Sequence, residues 1–388
     1  MNSDFQLERY AAVLKDAEQI RGVSLARDGW RRLKRNRVAI ASLFFLAVLS
    51  LLAVLTPILP LQSPYTVDTN KAFAPPTAHP FFIDTLRLDG PRGAAGASAG
   101  EEPKTAGHSA ESISATDSDW IDREFEHLNF FNRGLIQLRV KLFGAASLNS
   151  ILGRDELGRD LLARLFWGAR ISLLVGLVAT LVSLVIGVSY GAIAGYLGGR
   201  VDNIMMRIVD VLYSIPFIFV VIFLVTILSE ESIKGWLEQH GIDRITIFFF
   251  VVGAIYWLTM ARVVRGQVIS LKHEQFIEAA RTIGAGRRRI IFRHLVPNVF
   301  SVVIVYLTLT IPQVMLFEAF LSFLGLGVQA PAVSWGLLAN QGFRVISPIK
   351  IYWWLFVFPS LALGLTLFAL NFLGDGLRDA LDPRLKNK

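Results

Sequence analysis

Chemistry in this chain is confined to few side chains. The 388 residues include no cysteine and six histidines, which removes disulfides, thiolate metal sites and cysteine nucleophiles. His79, His108, His127, His240, His273 and His294 are scattered and never reach the spacing of a metal-binding helix. No glycine-rich phosphate cradle of the GxxxxGKS/T or GxGxxG kind occurs, so no cofactor, metal or nucleotide is expected on this chain itself. Two carboxylates fall inside long apolar runs. Asp210 lies within a turn of one end of its run, three residues from Arg207, its expected partner, and Glu318 stands near the far end of another in VMLFEAFLSF. A proton or ion relay needs a connected chain of such groups, which these two do not make. Glu318 is a candidate for lining a translocation path, or for reaching headgroups or a neighbouring subunit. Pro216, Pro312 and Pro359 also interrupt apolar runs. Each removes a backbone hydrogen bond, so each is a natural kink along such a path, although prolines are common in purely structural membrane helices.

The densest pattern is residues 262–298, RVVRGQVISLKHEQFIEAARTIGAGRRRIIFRHLVPN. Val263, Val264, Val268, Leu271, Phe276, Ile277 and Ala280 recur as one apolar helical face up to about Ile283. Gly284-Ala285-Gly286 breaks the helix, since glycine takes the left-handed conformation cheaply. A second short helix is expected through Ile290, Ile291 and Leu295, ending near Pro297. Two short helices at an angle, with an alanine pair exposed for close approach, suit helix-in-groove recognition. The alternative is a loop that only covers the mouth of a bundle, and docking is the favoured reading.

The elements that must hold this loop are membrane spans. Hydrophobic residues make up 53% and charged residues 18% of the chain, against about 25% charged in soluble domains. Six apolar stretches approach the roughly 17–25 residues that cross a bilayer as a helix: about 38–59, 171–194, 208–228, 245–261, 299–320 and 352–372. The fold class expected is therefore an all-α membrane protein with six transmembrane helices and both termini on one side. Residues 21–37 hold seven basic and one acidic residue, and residues 262–294 hold eight and two, whereas 229–244 and 321–351 hold two basic residues each. Basic loops stay in the cytoplasm, which puts both termini and the 262–298 loop there. The excess charge sits beside apolar runs rather than on a folded basic face, so lipid and not nucleic acid is the expected contact.

Four regions follow. Residues 1–37 form a cytoplasmic N-terminus in which SLARDGWRRLKRNR reads as an interfacial helix, capped by Ser24 and turning Leu25, Trp30 and Leu33 to lipid, or as a plain basic flank. Residues 38–59 are the first span. Residues 60–170 are a periplasmic loop with a flexible insert at about 89–118. Residues 171–388 are a core of five spans with the loop and a cytoplasmic tail. In the second span Ala179, Ser183, Gly187, Gly191 and Gly195 recur every four residues, a small-residue stripe that lets two backbones approach in lipid.

At this point the residues resemble a known family. Glu278-Ala279-Ala280, Gly284 and His294-Leu295-Val296-Pro297 are spaced like the EAA loop of bacterial ABC importer permeases. GRDELGRDLLARLFWGARISL (153–173) resembles the GTDxxGRDxxSR block of dipeptide and oligopeptide permeases, departing at Arg154 and Ala163. FLSFLGLGVQAPAVSWGLL (320–338) and NFLGDGLRDALDPR (371–384) resemble two further blocks. The likeness covers about 25–60 and 150–388 and is nearest to the C-type subunit of oligopeptide systems. It implies a non-catalytic subunit of an ATP-driven peptide importer in the inner membrane. Its partners would be a homologous second permease, two P-loop ATPases that bind ATP and Mg, and an extracytoplasmic peptide-binding protein. It also implies that Glu278, Ala279, Ala280 and Gly284 shape an ATPase-docking helix. Arg281 would touch the ATPase, while His294 and Pro297 close the loop onto the fifth span. Arg287, Arg288 and Arg289 read better as a basic cluster at headgroups. The main rival is a stand-alone secondary transporter or channel for small solutes, which would work without ATPases. A membrane-bound enzyme or scaffold built on the insert lacks any nucleophile–base or metal spacing.

Overall fold

The computed structural model describes residues 25–77, 82–84, 130–144, 146–148, 150–228, 230–240 and 244–381. Ser24, the insert expected at 89–118, His79, His108, His127 and residues 382–388 lie outside the described residues. Helix α1 (Leu25–Leu33) is followed by α2 (Arg37–Leu55), which starts where Asn36 Oδ1 accepts from the Ala39 amide at 3.1 Å. It gives way at Thr56 to a single 3-10 turn, Thr56–Ile58, with Pro57 as its second residue. Outside the spans lie a two-stranded antiparallel ribbon three residues long, β1 (Phe82–Asp84) against β2 (Ala146–Leu148), and helix α3 (Phe130–Phe143). Then come α4 (Leu161–Leu197), α5 (Gly199–Ser214), α6 (Phe217–Leu228), α7 (Glu231–Gln239), α8 (Arg244–Leu271) and α9 (Gln275–Thr282). The bundle closes with α10 (Arg287–Phe323), α11 (Trp335–Arg344) and α12 (Trp353–Leu381).

Five of these, α2 with its terminal turn, α4, Phe249–Leu271 of α8, α10 and α12, are long and apolar enough to cross a bilayer. The sixth expected span, 208–228, is not one straight helix. It is α5 and α6, bent by 82° at Ile215-Pro216, where proline has no amide proton to continue the ladder. Pro312 and Pro359, by contrast, sit inside helices that run on past them. The spans are also longer than their apolar runs. The polar ends of α4 and α8 remain helical, so α8 absorbs the first ten residues of the loop expected at 262–298.

The core is built on α4, which packs against α8 through the small-residue stripe. A side-chain carbon on Gly191 would lie 2.3 Å from the Ala261 carbonyl oxygen, so the two backbones are in direct contact there. Met315 of α10 covers Gly176 of the same helix. Helix α11 is pinned to α4 by the Trp335 amide donating to Ser172 Oγ at 3.1 Å and its indole donating to the Leu165 carbonyl at 2.9 Å. Leu33 does not face lipid as expected. It is buried with Ala39 against Ala380, so α1 packs on the end of α12 and leaves Trp30 exposed. The Leu25 side chain lies outside the described residues.

At the other end of α4 the 153–173 block forms a buried polar knot. Asp160 caps the helix by accepting from the amides of Leu162 and Ala163. Burial pushes its carboxyl above the ordinary aspartate range, opposed by the Ser150 hydroxyl and the Ala163 amide. Asp155 pairs with Arg159 at 2.7 Å and with Arg164. Arg154, where the resembled block carries Thr, donates to Gln62 Oε1 at 2.8 Å and to the Gly158 carbonyl at 2.7 Å. This departure ties the segment after α2 to the start of α4.

Candidate docking loop

Residues 272–286 leave the bundle between α8 and α10. Helix α8 stops at Leu271 and the turn 272–274 resets the chain, so α9 is a separate helix. Ile277 (0% exposed) and Ala280 (4%) point inward, and Ile277 joins Val264, Val268, Ile290, Leu295 and Val299 in one apolar cluster. The alanine pair is thus not exposed as a pair, because only Ala279 faces out. Phe276, expected on the inner face, is 40% exposed, and Ile283 is 85% exposed. With Ala279 they form an outward apolar row at i, i+3 and i+7, one helix face. The reading of the sequence missed Phe276 and Ile283 in this role, although their spacing carried the signal.

Glycine 284 closes α9 in the left-handed conformation, φ +81°. The Gly284 amide donates to the Arg281 carbonyl and the Ala285 amide to the Ala280 carbonyl, both at 2.9 Å, the glycine-terminated helix end that satisfies otherwise orphaned carbonyls. Nothing lies within 4 Å of where a side chain would start, so backbone conformation and not space requires glycine. Glu278 is exposed and its carboxylate makes no ion pair among the described residues. Arg281 lies with its guanidinium 5.4 Å from the centre of the Tyr196 ring, at the end of α4.

The second short helix does not end at Pro297. It continues as α10, and the six residues Ile290–Leu295 widen into a π turn just before it. The Val296 amide reaches back five residues to the Ile291 carbonyl, and this looser turn makes room for Pro297, which an α-turn would bring into collision with the preceding carbonyl. His294 is half-buried, and its carbonyl accepts from Asn298 at 2.6 Å. Pro297 is exposed, and Arg287, Arg288 and Arg289 are exposed at the head of α10.

Ion pairs fasten the helices that carry the loop. Arg265 of α8 grips Asp202 of α5 through two bonds of 2.5 and 2.7 Å, and Lys272 donates to the Gly195 carbonyl of α4. Asp210 does not pair with Arg207. It accepts from Arg262 of α8 at 2.8 Å, and that guanidinium also covers Tyr213. The path candidates do not converge on the loop. Pro216 sits at the α5–α6 bend, and Pro312 is buried inside α10. Glu318 is fully buried, takes a 2.6 Å hydrogen bond from Ser322 and offers no surface of its own to a cavity in this chain. Ser322 in turn accepts from the Val328 amide, and Asn340 of α11 donates to its carbonyl.

The fold and the loop define a class: a polytopic helical membrane protein that holds a short, outward-facing helix on a rigid base between two spans. Residues 187–387 match the family described as binding-protein-dependent transport system inner membrane component, and residues 24–76 match the N-terminal transmembrane domain of oligopeptide transport permease C. The chain belongs to this family, the ABC importer permeases of the dipeptide and oligopeptide branch. It is 36% identical to the dipeptide transport system permease protein DppC of Bacillus subtilis over 96% of this chain and 90% of that one. It is 38% identical to the oligopeptide transport system permease protein OppC of Escherichia coli K12, over 94% and 93% of the two chains. With the OppC protein of Haemophilus influenzae it shares 49% identity over 60% of this chain and 70% of that one.

Proposed function

We propose that this permease carries oligopeptides across the bacterial inner membrane, driven by ATPase subunits that dock on α9. The observation that carries the reading is the outward row Phe276, Ala279 and Ile283, set on the buried Ile277 and Ala280. An apolar helix face held out on a rigid base suits a groove in a partner. In this reading Glu278 and Arg281 flank the contact, Gly284 sets the exit angle, and His294 and Pro297 join the loop to α10. ATP and Mg belong to two P-loop ATPases, and the chain itself catalyses nothing. A homologous second permease completes the pathway, and an extracytoplasmic peptide-binding protein delivers the cargo. The peptide assignment follows the names of the relatives.

The basic residues of 21–37 and 262–294 support a cytoplasmic loop and cytoplasmic termini, with 60–170 on the periplasmic side. Alternating access then has a structural basis in the α4–α8 pair. The Asp202–Arg265 grip links the docking loop to α5, and α5 meets α6 at the Pro216 bend. Pro216 and Pro312 are the pivots along the path, and Glu318 holds the lining helix to the segment that follows it. ATP-bound and ATP-free partners would favour different states of this unit.

Purification of the tagged chain from native membranes in mild detergent tests this directly. Two P-loop ATPases and a second permease should come with it, and a peptide-loaded binding protein should raise ATP hydrolysis by the complex. A chain that purifies alone and moves solute in liposomes without ATP would overturn the reading in favour of a secondary transporter or channel.

A further inference from the structure

Helix α3 lies at the end of the bundle opposite the docking loop and has three distinct faces. Ile136 and Arg139 are buried against the protein. Arg133, Gln137 and Lys141 are exposed on the far side. Between them, at i, i+7 and i+11, Phe131, Leu138 and Leu142 form an apolar row with exposures of 60%, 43% and 61%. At 3.6 residues per turn these three fall within about 40° of one another, with Arg133 and Gln137 on the opposite half of the helix and Lys141 at the border.

The rest of the fold fixes the depth of this row. Asn132 accepts from Arg170 of α4 at 2.6 Å. Arg170 is the last charged residue on α4 before the unbroken run from Ile171 to Leu197, so it marks the edge of the hydrocarbon. Thr56, where α2 ends, faces the Phe166 carbonyl one turn away, which puts the end of α2 at the same level. Beyond α3 the chain is tied back there too, because the Leu148 amide donates to the Pro60 carbonyl at 2.8 Å and Gln62 donates to the Leu148 carbonyl. The 14-residue helix, about 21 Å long, thus starts at the Arg170 level and packs against the Thr56–Ile58 turn at the end of α2, and the chain returns to that turn's far side five residues past its end. The helix therefore lies along the membrane edge, at the level where α2, with Leu51 and Val54 exposed near its end, gives way to the Thr56–Ile58 turn. Trp167, stacked with Arg170 at 5.0 Å, is the aromatic and basic pairing that suits the headgroup level.

We propose that α3 is an interfacial helix whose Phe131–Leu138–Leu142 row binds the lipid surface of the leaflet opposite the docking loop. Apolar side chains enter the acyl boundary, and Arg133 and Lys141 stay among headgroups and water. The chain has no native cysteine, so each introduced thiol is its single labelling site, and the unsubstituted complex carried through the same labelling sets the background from the partner chains. Leu138→Cys, Leu142→Cys and, on the polar face, Gln137→Cys are each labelled with an environment-sensitive fluorophore. The labelled complex is then placed in phosphatidylethanolamine–phosphatidylglycerol nanodiscs, with and without its binding protein. Labels at 138 and 142 should emit to the blue of the label at 137, be quenched by shallow spin-labelled lipid and resist iodide. The label at 137 should show the reverse. Equal iodide quenching at all three positions would overturn the proposal. So would protection of 138 and 142 that arises only when the binding protein is added, since the row would then be a protein contact. A folded complex is verified by retained ATP hydrolysis, so each labelled variant reports on placement alone.

Discussion

Glu278 and Gly284 separate docking from folding. Glu278 points away from the chain and makes no ion pair among the described residues, so Glu278→Arg should leave insertion and abundance unchanged. It should lower ATP-driven uptake roughly tenfold or more, as expected for about 2 kcal/mol lost at a charged contact. Gly284→Pro removes the N–H that donates a hydrogen bond to the Arg281 carbonyl and forbids φ +81°, so uptake should vanish while the protein still reaches the membrane. Gly284→Ala is milder, at about 1–2 kcal/mol of left-handed strain. Normal uptake in the first two variants would refute the role given to α9. The breaker and the charged position were legible as residue types. The inward and outward faces were not, because the expected helix ran through Lys272–Glu274. In one unbroken helix Ile277 would stand about 180° from Val268, at 3.6 residues per turn. The turn resets that phase, brings Ile277 into the core beside Val268 and sends Phe276 outward. No local pattern marks such a reset.

Among the elements, α4 and α8 show what the four-residue stripe achieves. Its small residues announced a close contact, and the periodicity of Gly187, Gly191 and Gly195 was plain. The partner helix was not, since a small-residue stripe carries no address. The same limit explains Asp210, whose nearest sequence neighbour of opposite charge was Arg207 but whose partner, Arg262, arrives from a helix 52 positions away. The Pro216 break was legible as a proline, whereas the size of its bend, 82°, was not. Two glycines give a measurable contrast. Gly191→Ala drives a methyl onto the Ala261 carbonyl and should cost about 1–3 kcal/mol as overpacking. Gly266→Ala meets nothing within 4 Å and should gain about 0.5–1 kcal/mol of helix stability. Thermal unfolding of the detergent-solubilised chain, followed by tryptophan fluorescence, should therefore shift down for the first and slightly up for the second.

Taken whole, the molecule is a bundle with a polar knot at one end and the outward-facing helix α9 at the other, joined by α4. At 37 residues this helix is about 55 Å long, well beyond the roughly 30 Å of a hydrocarbon core. It therefore carries both the cap at Asp160 and the ring of Tyr196 beneath Arg281. Composition and apolar runs were enough to read a multi-span helical membrane protein, because lipid demands them of any helical span, whereas the permease reading rested on the resemblance of the 262–298 loop and its companion blocks. Helix α3 was not readable as interfacial, since its level depends on contacts with Arg170 and with the Thr56–Ile58 turn that lie far from it in sequence. The central claim is that the outward face of α9 enters an ATPase groove and drives transport from there. Single cysteines placed by Ala279→Cys, Ile283→Cys and the buried Ala280→Cys, in the assembled complex, test it by short-reach cross-linking in native membranes. The account predicts ATPase adducts at 279 and 283 but not at 280, with ATP-driven peptide uptake blocked wherever the adduct forms. No ATPase adduct at 279 or 283, with uptake proceeding, would contradict it.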